Sequence, residues 1–140
     1  MTNISRTALK TVLIILAVYA IFMAIDFGFG GFTTLGWQGT TDFLSISNEA
    51  RYGVQDSHFR FFSGVLAMMG VAIFVAVSNL KKYQQVLNFL FALIFVGGLT
   101  RFTSGNFVVL FSAEILISLL AETLLVLILY FWLAREVNLT

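Results

Sequence analysis

Four long apolar runs, separated by shorter polar stretches, set the pattern of this chain. They cover about residues 9–32, 59–77, 83–102 and 107–133. At a rise of 1.5 Å per residue, each has about the length a helix needs to cross a hydrocarbon core. The one substantial hydrophilic stretch, 33–57, holds Trp37, Asp42, Glu49, Arg51 and Asp56. It reads as an outer loop, a partly helical cap on the membrane with Trp37 as an interfacial anchor; a lid or a partner surface is the other use of a loop that long. The pattern predicts an all-α fold, a polytopic membrane four-helix bundle formed by a single domain of 140 residues.

The punctuation between runs is consistent with that reading. Arg6 and Lys10 stand at the start of the first run, as in a signal peptide, and Val18-Tyr19-Ala20 would serve as a cleavage site. The apolar run continues well past it and contains Asp26, so a membrane anchor is the better reading. The glycine cluster Gly28-Phe29-Gly30-Gly31 lacks the strand and βαβ context of a nucleotide-binding turn and reads as a helix end. Asp56 can cap the second run and stands four residues before Arg60, a favourable ion-pair spacing. Ser63, Gly64, Ala67 and Gly70 permit close helix approach. Lys81 and Lys82 mark a turn, and the short link 103–106 makes the last two spans antiparallel neighbours.

Composition narrows the chemistry. The chain is 59% hydrophobic and 11% charged, with sixteen Phe, outside the range of soluble domains. Its scattered basic residues leave no nucleic-acid footprint. Without cysteine there is no thiolate nucleophile or iron–sulfur ligand, and one histidine cannot build a bis-His haem or a His-rich zinc site; no cofactor and no metal are expected. With no proline, any kink must come from glycine. Arg6, Lys10, Lys81, Lys82 and Arg135 fall on one side of the membrane and Arg51, Arg60 and Arg101 on the other, which favours cytoplasmic N- and C-termini.

The polar residues inside the runs are the candidate site: Asp26, His58, Arg60, Arg101, Glu114 and Glu122. Glu114, Ser118 and Glu122 are spaced by four and share one side of a helix, a side that should face protein. Counted along straight helices, Arg60 and Arg101 lie near the outer surface and Asp26 and Glu114 roughly 10 Å down. Glu122 lies about 20 Å down, level with Asn88 and Tyr19. The outer layer is a balanced set in which Arg101 can pair with Glu114, fixing helix register, or can form a pocket for a phosphate or carboxylate. Glu122, with neutral neighbours only, is expected as a hydrogen-bonded acid, either interhelical glue or a proton carrier. His58 reads as an interfacial side chain, with proton handling as the alternative. Two carboxylates eight residues apart, about 12 Å along a helix, are too distant for a glycosidase pair, and no Glu-x-x-His motif accompanies them.

Asp56, His58-Phe59-Arg60-Phe61-Phe62-Ser63-Gly64, Gly97-Gly98-Leu99-Thr100-Arg101 and the late acidic helix together resemble a family of small four-helix bacterial membrane proteins classed as a domain of unknown function. Arg60, Gly64, Gly97, Gly98, Arg101 and Glu122 match the family's pattern, over about residues 56–132. The proline expected near the third loop of such proteins is absent. The resemblance implies a fold and a bacterial inner-membrane setting, and no reaction.

Two functional expectations follow. One is a structural or accessory membrane protein, surrounded by membrane lipids and acting through a homo-oligomer or a membrane-protein partner. The other is a small-molecule or anion binder, or a proton-coupled transporter, using the outer arginine–carboxylate pocket. Catalysis ranks behind both, because no nucleophile–base pair can be named.

Overall fold

The computed structural model describes residues 2–33 and 45–138, with only the backbone of Thr2 and Asn3. Trp37, Asp42 and the rest of 34–44, within the proposed outer loop, lie outside the described residues. All regular elements among the described residues are helical: α1 (Thr2–Gly30), α2 (Glu49–Ala76), α3 (Gln84–Thr100), α4 (Phe107–Leu110), α5 (Ala113–Leu120) and α6 (Val126–Asn138). Short 3-10 turns follow α1 at Gly31–Thr33 and α3 at Arg101–Ser104, and a π-turn, Ala121–Leu125, joins α5 to α6. Among the described residues, four stretches are long and apolar enough to cross a membrane: Ile4–Thr33, Glu49–Ala76, Gln84–Ser104 and Ala113–Asn138. The all-α membrane class is the expected one.

The chain forms two compact units, Leu13–Val75, and Met1–Val12 with Ala76–Thr140. In the first, α1 and α2 run antiparallel, because Phe27 packs at a tilt against Phe59 near one end while Gly70 lies against Ala17 and Ile21 near the other. A Cβ on Gly70 would stand 2.8 Å from the Ala17 carbonyl oxygen, so close approach depends on its absence there. Gly64, from the same small-residue stripe, has nothing within 4 Å. The helix α2 begins ten residues earlier than the apolar run at 59. Asn48 Oδ1 accepts the Arg51 N–H at 3.0 Å and Glu49 sits in the first turn, so the cap lies at Asn48. Asp56 is therefore inside the helix, and its carboxylate reaches the chain just past the end of α1, as described below.

In the second unit, α3 runs against the π-turn and α6. The buried residues of α6, Val126, Leu129, Leu133 and the adjacent Glu136 and Val137, recur every three or four positions and form one stripe. Leu9, Leu87 and Phe91 are buried too. The fourth apolar run, expected as one helix over 107–133, is instead broken. Gly105, at φ +66, ends the turn after α3, and Asn106 caps α4 through its Oδ1 and the Val109 N–H at 3.2 Å. After one turn the chain leaves the helix at Phe111, and Ser112 adopts an extended conformation (φ −66, ψ 156) before α5 starts. The break needs neither proline nor glycine.

Candidate functional site

The first unit holds one arginine–carboxylate group. Four residues apart on α2, Asp56 and Arg60 face each other, and Arg60 Nε donates to Asp56 Oδ2 at 2.6 Å. Both side chains also reach the end of α1. Arg60 Nη1 donates to the carbonyls of Gly28 at 2.6 Å and Phe29 at 3.1 Å, while the Phe32 N–H donates to Asp56 Oδ1 at 2.6 Å. Tyr52 adds a longer contact to the same oxygen, at 3.4 Å. The arginine thus supplies donors to helix-end carbonyls that have no intrahelical partner, where the negative pole of the helix dipole favours a cation. Gly31 makes the arrangement possible. Its φ of +72 turns the chain out of α1, and a Cβ there would collide with the Asp56 carboxylate and the Arg60 guanidinium. The pair is a clamp on a helix terminus.

The second unit holds the other. Arg101, at the end of α3, donates from Nε to Glu122 Oε2 at 2.6 Å and from Nη2 to Glu122 Oε1 at 2.5 Å. Two parallel bonds make this a side-on fork, the geometry in which arginine binds a carboxylate best. The side chains keep 36% and 26% of their exposure. Glu122 lies in the π-turn, nine residues from the start of its span, about 13 Å along the axis. The widened backbone fits against Gly98: a Cβ there would stand 2.9 Å from both Glu122 Cβ and Thr123 Cγ2. The Thr123 hydroxyl donates to the Leu119 carbonyl at 2.6 Å, a back-bond of the kind that accompanies distorted helical turns.

Against the expected site, these facts amount to a rearrangement. The carboxylate that takes Arg101 is Glu122, not Glu114. Glu114 is exposed in the first turn of α5 and has no hydrogen-bond or ion-pair partner among the described residues. The break at 111–112 and the π-turn invalidate depths counted along one straight helix, and Arg101 reaches inward on its long stem. Glu122 is accordingly not a lone acid beside Asn88 and Tyr19. Asn88 Oδ1 is buried without a hydrogen bond among the described residues, and Tyr19 is half exposed. Asp26 has one carboxylate oxygen buried and without a hydrogen bond among the described residues, while Arg60 takes Asp56. His58 is exposed on α2. Of the six candidates, Asp26, His58 and Arg60 belong to one unit and Arg101, Glu114 and Glu122 to the other; only Arg101 and Glu122 are directly joined.

One polar group was missed. Glu136, only 4% exposed, accepts a short hydrogen bond from the Ser5 hydroxyl, and Ser5 Oγ accepts the Trp132 Nε1–H at 3.0 Å. Its signal lay in periodicity: Glu136 continues the stripe Val126, Leu129, Leu133, and Ser5 is four residues before the buried Leu9. No group of three or more metal-ligating side chains occurs among the described residues.

Helices of membrane length whose internal arginines meet carboxylates and helix-end carbonyls define a polytopic helical membrane protein. Residues 8–133 match the family described as Domain of unknown function (DUF4345), and the chain belongs to that family. Comparison with curated proteins and with solved structures gives no significant match.

Proposed function

We propose that the protein is a small structural or accessory component of a bacterial inner membrane, both termini cytoplasmic, whose internal charges hold helices in register. The observation that carries this reading is the Arg101–Glu122 fork, in which the arginine that an anion pocket would need is already bound to a carboxylate through two hydrogen bonds. The clamp of Arg60 on Asp56 and the end of α1 points the same way. A membrane lipid environment and a homo-oligomeric or membrane-protein partner complete the reading, since charges used for packing leave the outward surface for association.

A double-mutant cycle in lipid vesicles tests it. Arg101→Leu or Glu122→Leu alone strands a partly exposed charge and should destabilise the protein by about 1–3 kcal/mol. The double variant should lose less than the sum, because no charge is left unpaired. Glu122→Gln, which keeps a hydrogen-bonding side chain, should be milder than Glu122→Leu. Additive losses, or wild-type vesicles that carry a proton or anion flux abolished by Glu122→Gln, would favour the transporter reading instead.

A further inference from the structure

The segment α5 is bounded on both sides by departures from α-helical geometry, and its two neighbours are held very differently. On its C-terminal side, α6 is anchored: Val126, Leu129 and Leu133 are at most 2% exposed, and Trp132 and Glu136 are both hydrogen-bonded to Ser5. On its N-terminal side, the chain leaves the helix at Phe111–Ser112. Ser112 stands in the capping position, yet its hydroxyl makes no cap bond and is buried without a hydrogen bond among the described residues. Between these ends α5 contributes one buried residue, Leu119, while Ile117 is 76% exposed. It is eight residues long, uncapped and lightly packed.

A π-turn contains one more residue than the α-turn it replaces. If the turn at Ala121–Leu125 relaxes to α while α6 stays anchored, every upstream slot is filled by the next residue of the chain. The segment then rotates by about 100° and slides by about 1.5 Å. The break at Phe111–Ser112 can absorb that displacement, so it need not pass into α4. Two contacts oppose the change, and both converge on the turn: the Arg101–Glu122 fork and the fit of Glu122 and Thr123 against Gly98.

We propose that α5 is a two-register segment, held in its present register by the Arg101–Glu122 pair and released when that pair opens. This deepens the reading of the pair as a register device: the register it sets is one of two. In the alternative, Ser118 takes the outward slot of Ile117 and Leu120 takes the buried slot of Leu119. An exposed aliphatic side chain is replaced by a hydroxyl, a group that can hydrogen-bond to a partner helix within a membrane. The pair would thus control which surface the protein offers.

Because the chain contains no cysteine, the register can be read directly. Nitroxide labels are attached at single cysteine substitutions of Leu116, Ile117, Ser118, Leu119 and Leu120 in lipid bilayers, and collisions with dissolved oxygen are measured by electron paramagnetic resonance. In the otherwise wild-type chain, accessibility should peak at 117 and be lowest at 119. In Glu122→Gln and in Arg101→Gln the peak should move to 118 and the minimum to 120. The charge-swapped pair Arg101→Glu with Glu122→Arg should return the peak to 117. Gly98→Ala, which crowds the widened turn without changing a charge, should produce the same one-position shift. An unmoved pattern in all three single variants would overturn the proposal, as would loss of periodicity, which marks melting rather than rotation. Positive thermal coupling between Arg101 and Glu122 together with an unmoved pattern would remove the switch and leave the structural role standing.

Discussion

At the scale of single residues, the two glycines that matter act through opposite properties. Gly31 supplies a backbone conformation and Gly98 supplies space. Gly31→Ala should cost about 1–2 kcal/mol from the left-handed backbone alone, and more because Asp56 and Arg60 must move. Gly28→Ala is the control. Its added Cβ would stand 3.8 Å from Ser63 Cβ, an ordinary contact, and alanine is the better helix former, so the melting temperature should not fall below that of wild type. Equal thermal stability of the two variants would show that the α1 end is not clamped as described. Residue types in this chain announced that charges would pair; they did not announce that Arg60 would spend three of its donor contacts on Asp56 and two backbone carbonyls of another helix.

Among the elements, α2 shows how a helix outlasts its apolar run. Residues 49–57 are mostly polar and belong to the stretch expected as a partly helical outer cap, yet the Asn48 cap and Glu49 make them the first turns of the spanning helix itself. Asn48→Ala should cost about 1 kcal/mol at the helix start and accelerate amide exchange over 49–57, with residues 63–76 unaffected. Exchange at 49–57 that does not change would assign the helix start to packing instead. The fourth span errs in the other direction, since its apolar composition conceals a break and a π-turn. Hydropathy reports how favourable a segment is in lipid, and it is insensitive to whether one turn holds four residues or five.

For the whole molecule, the membrane class follows from four spans, while sidedness rests on the distribution of Lys and Arg. Ser47 precedes α2 and Ser78 follows it, and both are exposed. If the proposed topology, with both termini cytoplasmic, holds, a cysteine replacing Ser47 should react with an impermeant thiol reagent added outside intact cells, and one replacing Ser78 only after lysis. The reverse pattern would invert the topology without disturbing any contact described above.

Composition and periodicity were sufficient for the class, the number of spans and the identity of the arginines, because transfer of a segment into lipid is a nearly additive, local property of its residues. Even the buried stripes of α1 and α6, with the overlooked Glu136 in one and Ser5 four residues before the other's Leu9, were legible as repeats of three and four. Partner choice was not. Whether Arg101 met Glu114 or Glu122 depended on where a helix broke, on a turn that holds one residue more, and on a glycine of α3 that admits it. Those are matters of three-dimensional fit between segments distant in sequence, and an ion pair, whose energy falls off within a few ångströms, is decided only there.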